Sequence, residues 1–173
     1  WVKQAVRWMP MDKWDKCEFT VCEDDLEGRV CYGGLDLSST TDVTAFVLVF
    51  PPEDESDKYI ILPYFWIPED NLDLRVRRDH VPYDVWERRG YLQTTEGNVV
   101  HYGYIEKFIE SLGERFNIRE IAFDRWGAVQ MVQNLEGMGF TVVPFGQGFK
   151  DMSPPTKELM KLVLEQRIAH GGH

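Results

Sequence analysis

The sequence of 173 residues has no apolar stretch near the ~20 residues that a membrane-spanning helix needs, and no signal-peptide pattern opens it. Cysteine is scarce: Cys17, Cys22 and Cys31 are an odd number, and they lack the paired C-x-x-C spacing of a zinc site. We therefore expect a soluble, intracellular chain with reduced thiols, no structural zinc and no membrane partner.

Positive charge is also in short supply, with 19 Lys and Arg against 29 Asp and Glu and a formal net charge of −10. This balance argues against broad, sequence-independent adhesion to nucleic acid, but it allows a small cation site or a local basic face. The G-x-x-x-x-G-K-[S/T] phosphate loop is missing, so this chain alone is not a P-loop ATPase.

What is present is the composition of a folded domain, with 43% hydrophobic and 13% aromatic residues. Residues 1–30 are rich in tryptophan and mixed charge without a clean period, and they are predicted to be a linker, with the abrupt start at Trp1 suggesting a longer parent chain. Residues 31–173 are predicted to be the domain proper, a mixed α/β sheet with helices on both faces.

The segment Tyr32–Phe50 predicts two apolar strands joined by a hydroxyl-rich turn, the second of them, Val43–Phe50, covered on both faces. A third strand, Tyr59–Ile67, completes an antiparallel meander. Asp36 falls inside the first strand, where a buried carboxylate is costly unless it is paired, and a bound cation is the simplest partner.

The later pattern predicts further strands and helices with short links between them. The C-terminal pair His170 and His173 is predicted to fray. The remaining predicted elements are helices over Asn71–His80 and Pro82–Arg89, an extended piece at Tyr91–Thr95, a helix capped by Asn98 and running to Phe116, a strand over Ile118–Asp124, a helix over Ala128–Met138, a strand over Thr141–Phe145, and a last helix that starts at Ser153 and includes Ile168 on its apolar face.

Asp36 and Asp124 are the candidate catalytic and metal-binding pair, because both lie on predicted strands and converge if those strands are parallel neighbours. Carboxylates and water suit Mg²⁺ or Mn²⁺, and two such ions about 4 Å apart can drive phosphodiester cleavage. The structural alternative is that Asp36 caps the following turn and Asp124 caps the following helix. Asp42 either reaches the same cation or organises the hairpin.

Several spaced motifs together resemble the C-terminal nuclease domain of the large terminase subunit of tailed bacteriophages. The motifs that carry the resemblance are Gly33-Gly34-Leu35-Asp36-Leu37-Ser38-Ser39-Thr40-Thr41-Asp42, Phe123-Asp124-Arg125-Trp126-Gly127-Ala128, Gln147-Gly148-Phe149 and Ser153-Pro154-Pro155-Thr156. The resemblance implies a ribonuclease H-like fold and a metal-dependent endonuclease, with a two-metal Mg²⁺ or Mn²⁺ site, that cuts concatemeric double-stranded DNA during packaging in the cytoplasm of the infected host.

The same resemblance assigns metal-binding roles to Asp36, Asp124 and, as an additional acid, Asp42. Lys150 and Arg125 are predicted to contact DNA. The implied protein partners are the ATPase domain of the full-length chain, the small terminase subunit and the portal. The family has a third acid on a helix near the domain's C terminus; because this chain stops at His173, we expect an incomplete site and weak activity for the domain alone.

Two other interpretations compete with the nuclease. The opening strand-Asp-turn-strand also resembles the phosphate-binding hairpin of the actin and sugar-kinase group, but the second hairpin and the adenosine-site glycine motif of that group are missing from the sequence. The other alternative is a non-catalytic module that docks on the small subunit or the portal.

Overall fold

The structure is a computed structural model that describes residues 7–38, 42–70, 72–124 and 129–173. Seven strands of these residues form a single sheet. The strands are β1 (Val30–Asp36), β2 (Thr44–Phe50), β3 (Tyr59–Pro68), β4 (Gln93–Thr95), β5 (Asn117–Asp124), β6 (Val142–Phe145) and β7 (Ile168–Ala169).

The α-helices of the described residues are α1 (Met11–Trp14), α2 (Leu72–Asp79), α3 (Tyr83–Arg88), α4 (Tyr102–Arg115), α5 (Val129–Gly137) and α6 (Phe149–Leu164). Short 3₁₀ turns occupy Asp15–Cys17 and Glu23–Leu26. Among the residues described, no helix is long and apolar enough to cross a membrane.

The strands lie in the order β4-β3-β2-β1-β5-β6, and β7 also pairs with β3. β1, β2 and β3 are antiparallel neighbours, which confirms the predicted meander. β5 is parallel to β1, and β6 is parallel to β5. The short strands β4 and β7 run parallel to β3 at its two ends, β4 beside Trp66–Pro68 and β7 beside Tyr59 and Ile60.

One face of the sheet carries the main hydrophobic core, beneath α4 and α5. On β2, Phe46, Leu48 and Phe50 are fully buried on this face, whereas the residues between them are only partly buried. The prediction that β2 is covered on both faces therefore holds fully on this face and only in part on the other. The helices contribute the following buried residues to this core: Ile105, Ile109, Leu112, Met131 and Leu135.

The opposite face is covered by α6 and by α1 with the turn that follows it. Cys17, Val163 and Ile168 form a second buried cluster there, with Trp14 packed against it. Met9 also packs against this cluster, whereas Leu26 belongs to the main core on the other face. Because helices cover both faces of a mixed sheet, the predicted fold class is confirmed.

The C-terminal histidines are ordered, so the prediction that they fray was wrong. His170 is buried, and its ring stacks on Trp14 at 4.4 Å between ring centroids. His173 packs against Tyr91 and Phe65, with ring centroids 4.8 Å and 5.5 Å away. Ring contacts with residues distant in sequence hold this segment, and a local pattern does not reveal such contacts.

Three predicted helix details were also wrong. The helix assigned to Asn98 begins at Tyr102, because the preceding Val100 is buried in the core before the helix starts. The last helix begins at Phe149, where the Gly148 carbonyl accepts the first helical hydrogen bonds.

The two prolines inside that helix remove donors from the Lys150 and Asp151 carbonyls, and both of those residues are exposed to water. Ile168 lies beyond the helix in β7, since the left-handed Gln166, with φ of 53°, ends α6.

Candidate active site

Two acids meet at the carboxyl ends of the central parallel strands. β1 and β5 pair directly, with Leu35 opposite Phe123, and the next residues along each strand are Asp36 and Asp124. Paired strands lie about 4.8 Å apart and side chains alternate between faces, so both acids are on the α6 face as neighbours. The sequence prediction that these acids converge depended on this parallel pairing.

Asp36 and Asp124 line a cleft of about 450 Å³ between the sheet and α6. Its lining residues are Gly34, Leu35, Asp36, Ala45, Val47, Ala122, Phe123, Asp124, Phe145, Gln147, Met152, Pro155, Thr156 and Leu159. Asp36 is exposed rather than buried. The argument that burial forces Asp36 to take a partner was therefore wrong, and the cleft itself is what points to function.

The turn after β1 is closed by hydroxyl groups. The Ser38 amide donates to Thr44 Oγ1 at 3.1 Å, and the two hydroxyl oxygens lie 2.8 Å apart. The Tyr102 hydroxyl donates to the Ser38 carbonyl at 2.7 Å. Among the described residues the Asp36 carboxylate has neither a hydrogen bond nor an ion pair. The alternative that it caps this turn involves residues 39–41, which lie outside the described residues.

The other predicted site residues lie apart from this pair or outside the description. Asp42 is exposed beyond the turn and is not among the residues that line the acid cleft. Lys150 is exposed in the first turn of α6. Arg125, and with it the expected cap of the helix after Asp124, lies outside the described residues.

A second cavity, of about 500 Å³, lies on the same face of the sheet and is predominantly apolar. It is lined by Val43, Phe65, Trp86, Tyr91, Leu92 and His173. Burial lowers the pKa of His173, and the nearby His170 lowers it further. Over the part of the chain that is described, no group of three or more His, Cys, Asp or Glu side chains is placed to hold a metal ion. Of the residues that line the two cavities, Asp36 and Asp124 are therefore the main candidate metal ligands.

Sequence reasoning missed the α6 wall of the acid cleft. Met152, Thr156 and Leu159 lie on one side of α6 because they are separated by four and three residues. This spacing was visible in the sequence, but the start of the helix was placed four residues too late. Gln147, in the loop before α6, also lines the cleft and was assigned no role.

Comparisons with known proteins identify the family of the chain. A family model described as "Terminase large subunit, endonuclease domain" matches residues 1–173. The large terminase subunit of Enterobacteria phage HK97 is 40% identical over 147 residues, which are 84% of this chain and 29% of that protein. Its crystal structure has a TM-score of 0.83 at 35% identity, covering 96% of this chain and 34% of that one.

A more distant structure shows the same fold. The large terminase nuclease of the thermophilic phage G20c has a TM-score of 0.53 at 12% identity, covering 85% of this chain and 62% of that one. That nuclease has also been solved with bound zinc and with bound magnesium, at TM-scores of 0.52 and 0.50.

The present chain spans about a third of the length of the HK97 relative. The kinase-like interpretation of the opening hairpin has no support from these comparisons. With the family model matching every residue and the HK97 subunit 40% identical, the chain belongs to the family of terminase large subunit endonuclease domains.

Proposed function

We propose that this domain is a divalent-metal-dependent endonuclease that cuts concatemeric double-stranded DNA during phage packaging, with Asp36 and Asp124 holding Mg²⁺ or Mn²⁺. The observation that carries the proposal is the side-by-side position of two carboxylates at the carboxyl ends of β1 and β5, on the wall of an open cleft.

The chemistry of the donors fits a hard cation. Mg²⁺ and Mn²⁺ take oxygen ligands, keep several waters and need only one or two protein carboxylates beside the substrate phosphate. Asp36 is exposed and has no protein partner among the described residues, so its oxygens are available to a cation. Magnesium bound to the G20c nuclease, which shares the fold, is consistent with this choice.

Bound ions would supply Lewis acidity, making water a nucleophile at neutral pH and stabilising the charge on the leaving oxygen. The chain's own residues would hold the cation and orient the DNA. Asp36 and Asp124 fix the cation at one edge of the sheet, and α6 forms the opposite wall of the cleft. Lys150, exposed near this end of α6, attracts the phosphate backbone, and Arg125 stays a predicted DNA contact.

Asp42 has a smaller part in the proposal. It is exposed beyond the turn and is not among the residues that line the acid cleft. We expect the replacement of Asp42 by Asn to weaken metal binding less than the same change at Asp36 or Asp124.

The partners of the whole packaging motor follow from the length of the relatives. Because the HK97 large subunit is about three times as long as this chain, we infer that the domain works beside an ATPase domain, with the small subunit and the portal as further partners. The alternative of a docking module without chemistry is decided by the experiment below.

The test combines metal binding with DNA cleavage. Calorimetric titration with Mn²⁺ is compared for the unchanged chain, Asp36→Asn, Asp124→Asn and the control Glu120→Gln. Glu120 is an exposed acid on the same strand as Asp124. Nicking of supercoiled plasmid in Mg²⁺ or Mn²⁺ is measured on the same four proteins.

We expect each Asp→Asn variant to weaken Mn²⁺ binding at least about tenfold and to abolish nicking, because one of the two carboxylate ligands is lost. Glu120→Gln is expected to behave like the unchanged chain. Unaltered Mn²⁺ affinity in both Asp→Asn variants would refute the site. Because the chain alone is expected to be only weakly active, a C-terminally extended version is assayed beside it. Metal binding at the acids with no nicking by either the unchanged chain or the extended version would instead favour the docking module.

A further inference from the structure

Asp36 is the last residue of β1, at the point where the strand loses its neighbours. Within the described residues, the pairing of β1 with β5 ends at Leu35, and its pairing with β2 ends at Asp36 itself, opposite Ala45. The ends of strands fray unless the backbone beyond them is held. An acid that must stay beside Asp124 therefore needs an anchor in the residues that follow it.

Ser38 is that anchor, because each of its polar groups has a partner. Its amide donates to Thr44 Oγ1 at 3.1 Å, and its hydroxyl oxygen lies 2.8 Å from the same atom. Its carbonyl accepts a hydrogen bond from the Tyr102 hydroxyl at 2.7 Å. Ser38 and Thr44 are buried, so water competes little for these groups, and a satisfied buried network of this kind is rigid.

Tyr102 connects this network to the main core. It is the first residue of α4, and its side chain packs against the core. Ile105 and Ile109, one and two turns further along the helix, are fully buried. The backbone two residues after Asp36 is therefore fixed to a helix that the core holds in place.

We propose that Tyr102 and Thr44 are positioning residues for the acid pair. By holding Ser38, they keep the Asp36 carboxylate beside that of Asp124 before a cation binds. A ligand that is already in place loses less freedom when the metal arrives, so the affinity is higher than at a fraying strand end. Neither positioning residue lines the cleft, so both act through the backbone. This inference rests on the proposed function for the cation itself.

The test of Tyr102 is Mn²⁺ binding measured by calorimetry. Tyr102→Phe keeps the ring and removes only the donor to Ser38. We expect it to weaken Mn²⁺ binding about threefold to tenfold, at or below the lower end of the effects of losing outer-shell partners of metal ligands. Tyr104→Phe is the matched control. Tyr104 lies two residues further along α4, its hydroxyl donates to Gln93 at 3.3 Å, and its loss is expected to leave Mn²⁺ affinity unchanged.

Thr44 is tested by rescue. Thr44→Val keeps the shape of the side chain but leaves the Ser38 amide without its acceptor, and we expect a loss of Mn²⁺ affinity similar to that in Tyr102→Phe. Thr44→Ser restores the hydroxyl and is expected to retain the affinity. Ile109→Val controls for stability, because it removes a buried methyl group from α4 and lowers the urea midpoint. It is expected to bind Mn²⁺ like the unchanged chain.

Amide hydrogen exchange in the absence of metal measures the anchor directly. We expect the amides of residues 36–38 to exchange about 2- to 10-fold faster in Tyr102→Phe than in the unchanged chain, the factor that one lost hydrogen bond produces. Tyr104→Phe is expected to leave these rates unchanged.

Unchanged Mn²⁺ affinity in both Tyr102→Phe and Thr44→Val would overturn the proposal, as would an equal loss of affinity in Ile109→Val. If Asp36→Asn loses Mn²⁺ while both hydroxyl variants keep it, the proposed function stands and this inference alone fails. If Asp36→Asn keeps its Mn²⁺ affinity, the metal site fails. The exchange rates, which need no metal, then still decide whether Tyr102 holds the end of β1.

Discussion

Two adjacent glycines on β1 differ in what surrounds them. A Cβ added at Gly33 would lie 2.9 Å from the ring of Phe46 and 3.2 Å from Ile121, and both of those side chains are fully buried. A Cβ added at Gly34 would meet nothing within 4 Å. Gly33 therefore allows close packing on the core face, whereas Gly34 leaves room on the cleft face.

We expect Gly33→Ala to lower the free energy of unfolding by about 1–3 kcal/mol, because the added methyl group overpacks a core that cannot yield. Gly34→Ala should leave it unchanged or raise it by up to about 1 kcal/mol, since glycine is unfavourable inside a strand. Urea unfolding followed by circular dichroism measures both. Equal losses in the two variants would contradict this account of β1.

The three cysteines should differ in reactivity. Cys22 is exposed, whereas Cys17 and Cys31 are buried. Burial raises the pKa of Cys31 to about 12 and also raises the pKa of Cys17, so their reactive thiolate forms are suppressed at neutral pH. In the native chain, we expect one thiol to react quickly with Ellman's reagent and three to react after denaturation. Fast labelling that survives in Cys22→Ser would show that the buried pair is accessible.

Among secondary-structure elements, the segment after β7 joins parts of the chain that are far apart in sequence. His170 Nε2 lies 2.9 Å from the Trp14 carbonyl, and its Nδ1 accepts a hydrogen bond from the Gly172 amide at 3.2 Å. His173 then packs into the apolar cavity beside Tyr91. The first helix and the region around β4 are thus held by one short C-terminal segment.

His173 should make stability depend on pH. Its pKa is lowered in the folded state, chiefly by burial, so between the unfolded value near 6.5 and the lower folded value the unfolded chain binds more protons. The free energy of unfolding should therefore fall as the pH drops below about 6.5. Urea unfolding at pH 8.0, 6.5 and 5.5 measures this change.

His173→Gln should reduce that slope, and the exposed His101 provides the control: His101→Gln should retain it. The same slope in both variants would show that other groups cause the pH dependence.

Local pattern and length were enough to predict most of the strands and helices. The meander, β5 and β6 follow from apolar runs bounded by turns, and α5 ends beside Gly139, which has φ of 95°. The errors occur where contacts between residues far apart in sequence determine the bounds of an element. Val100 delays the start of α4 by packing into the core, and β7 forms only because β3 offers it an edge.

The candidate site was also predictable only in part. Asp36 and Asp124 were each identifiable as an acid on a predicted strand, but their meeting needs β5 to pair with β1 across an intervening 80 or so residues. The exposure of Asp36 and the α6 wall depend on how the layers pack, which neither periodicity nor spacing specifies. Whether these acids bind metal stays a prediction.

For the molecule as a whole, two carboxylates placed side by side at one edge of the sheet should reduce stability in the absence of a cation, because like charges on paired strands repel. We expect Asp36→Asn to raise the urea midpoint in EDTA relative to the unchanged chain. Added Mn²⁺ should reverse the order, since a ligand that binds only the folded state stabilises it.

Glu120→Gln, on β5 but away from the pair, should show neither effect. An Asp36→Asn variant that is stabilised by Mn²⁺ as strongly as the unchanged chain would contradict the assignment of the metal to this pair.

The arrangement of the outer strands bears on how the domain behaves in concentrated solution. β3 is flanked only at its two ends by β4 and β7, and Pro63 lies in the interval between them. β6, at the other end of the strand order, is four residues long and contains Pro144. Proline has no amide hydrogen to offer an incoming strand, and short borders give little length for pairing. Both borders of the sheet thus resist edge-to-edge aggregation.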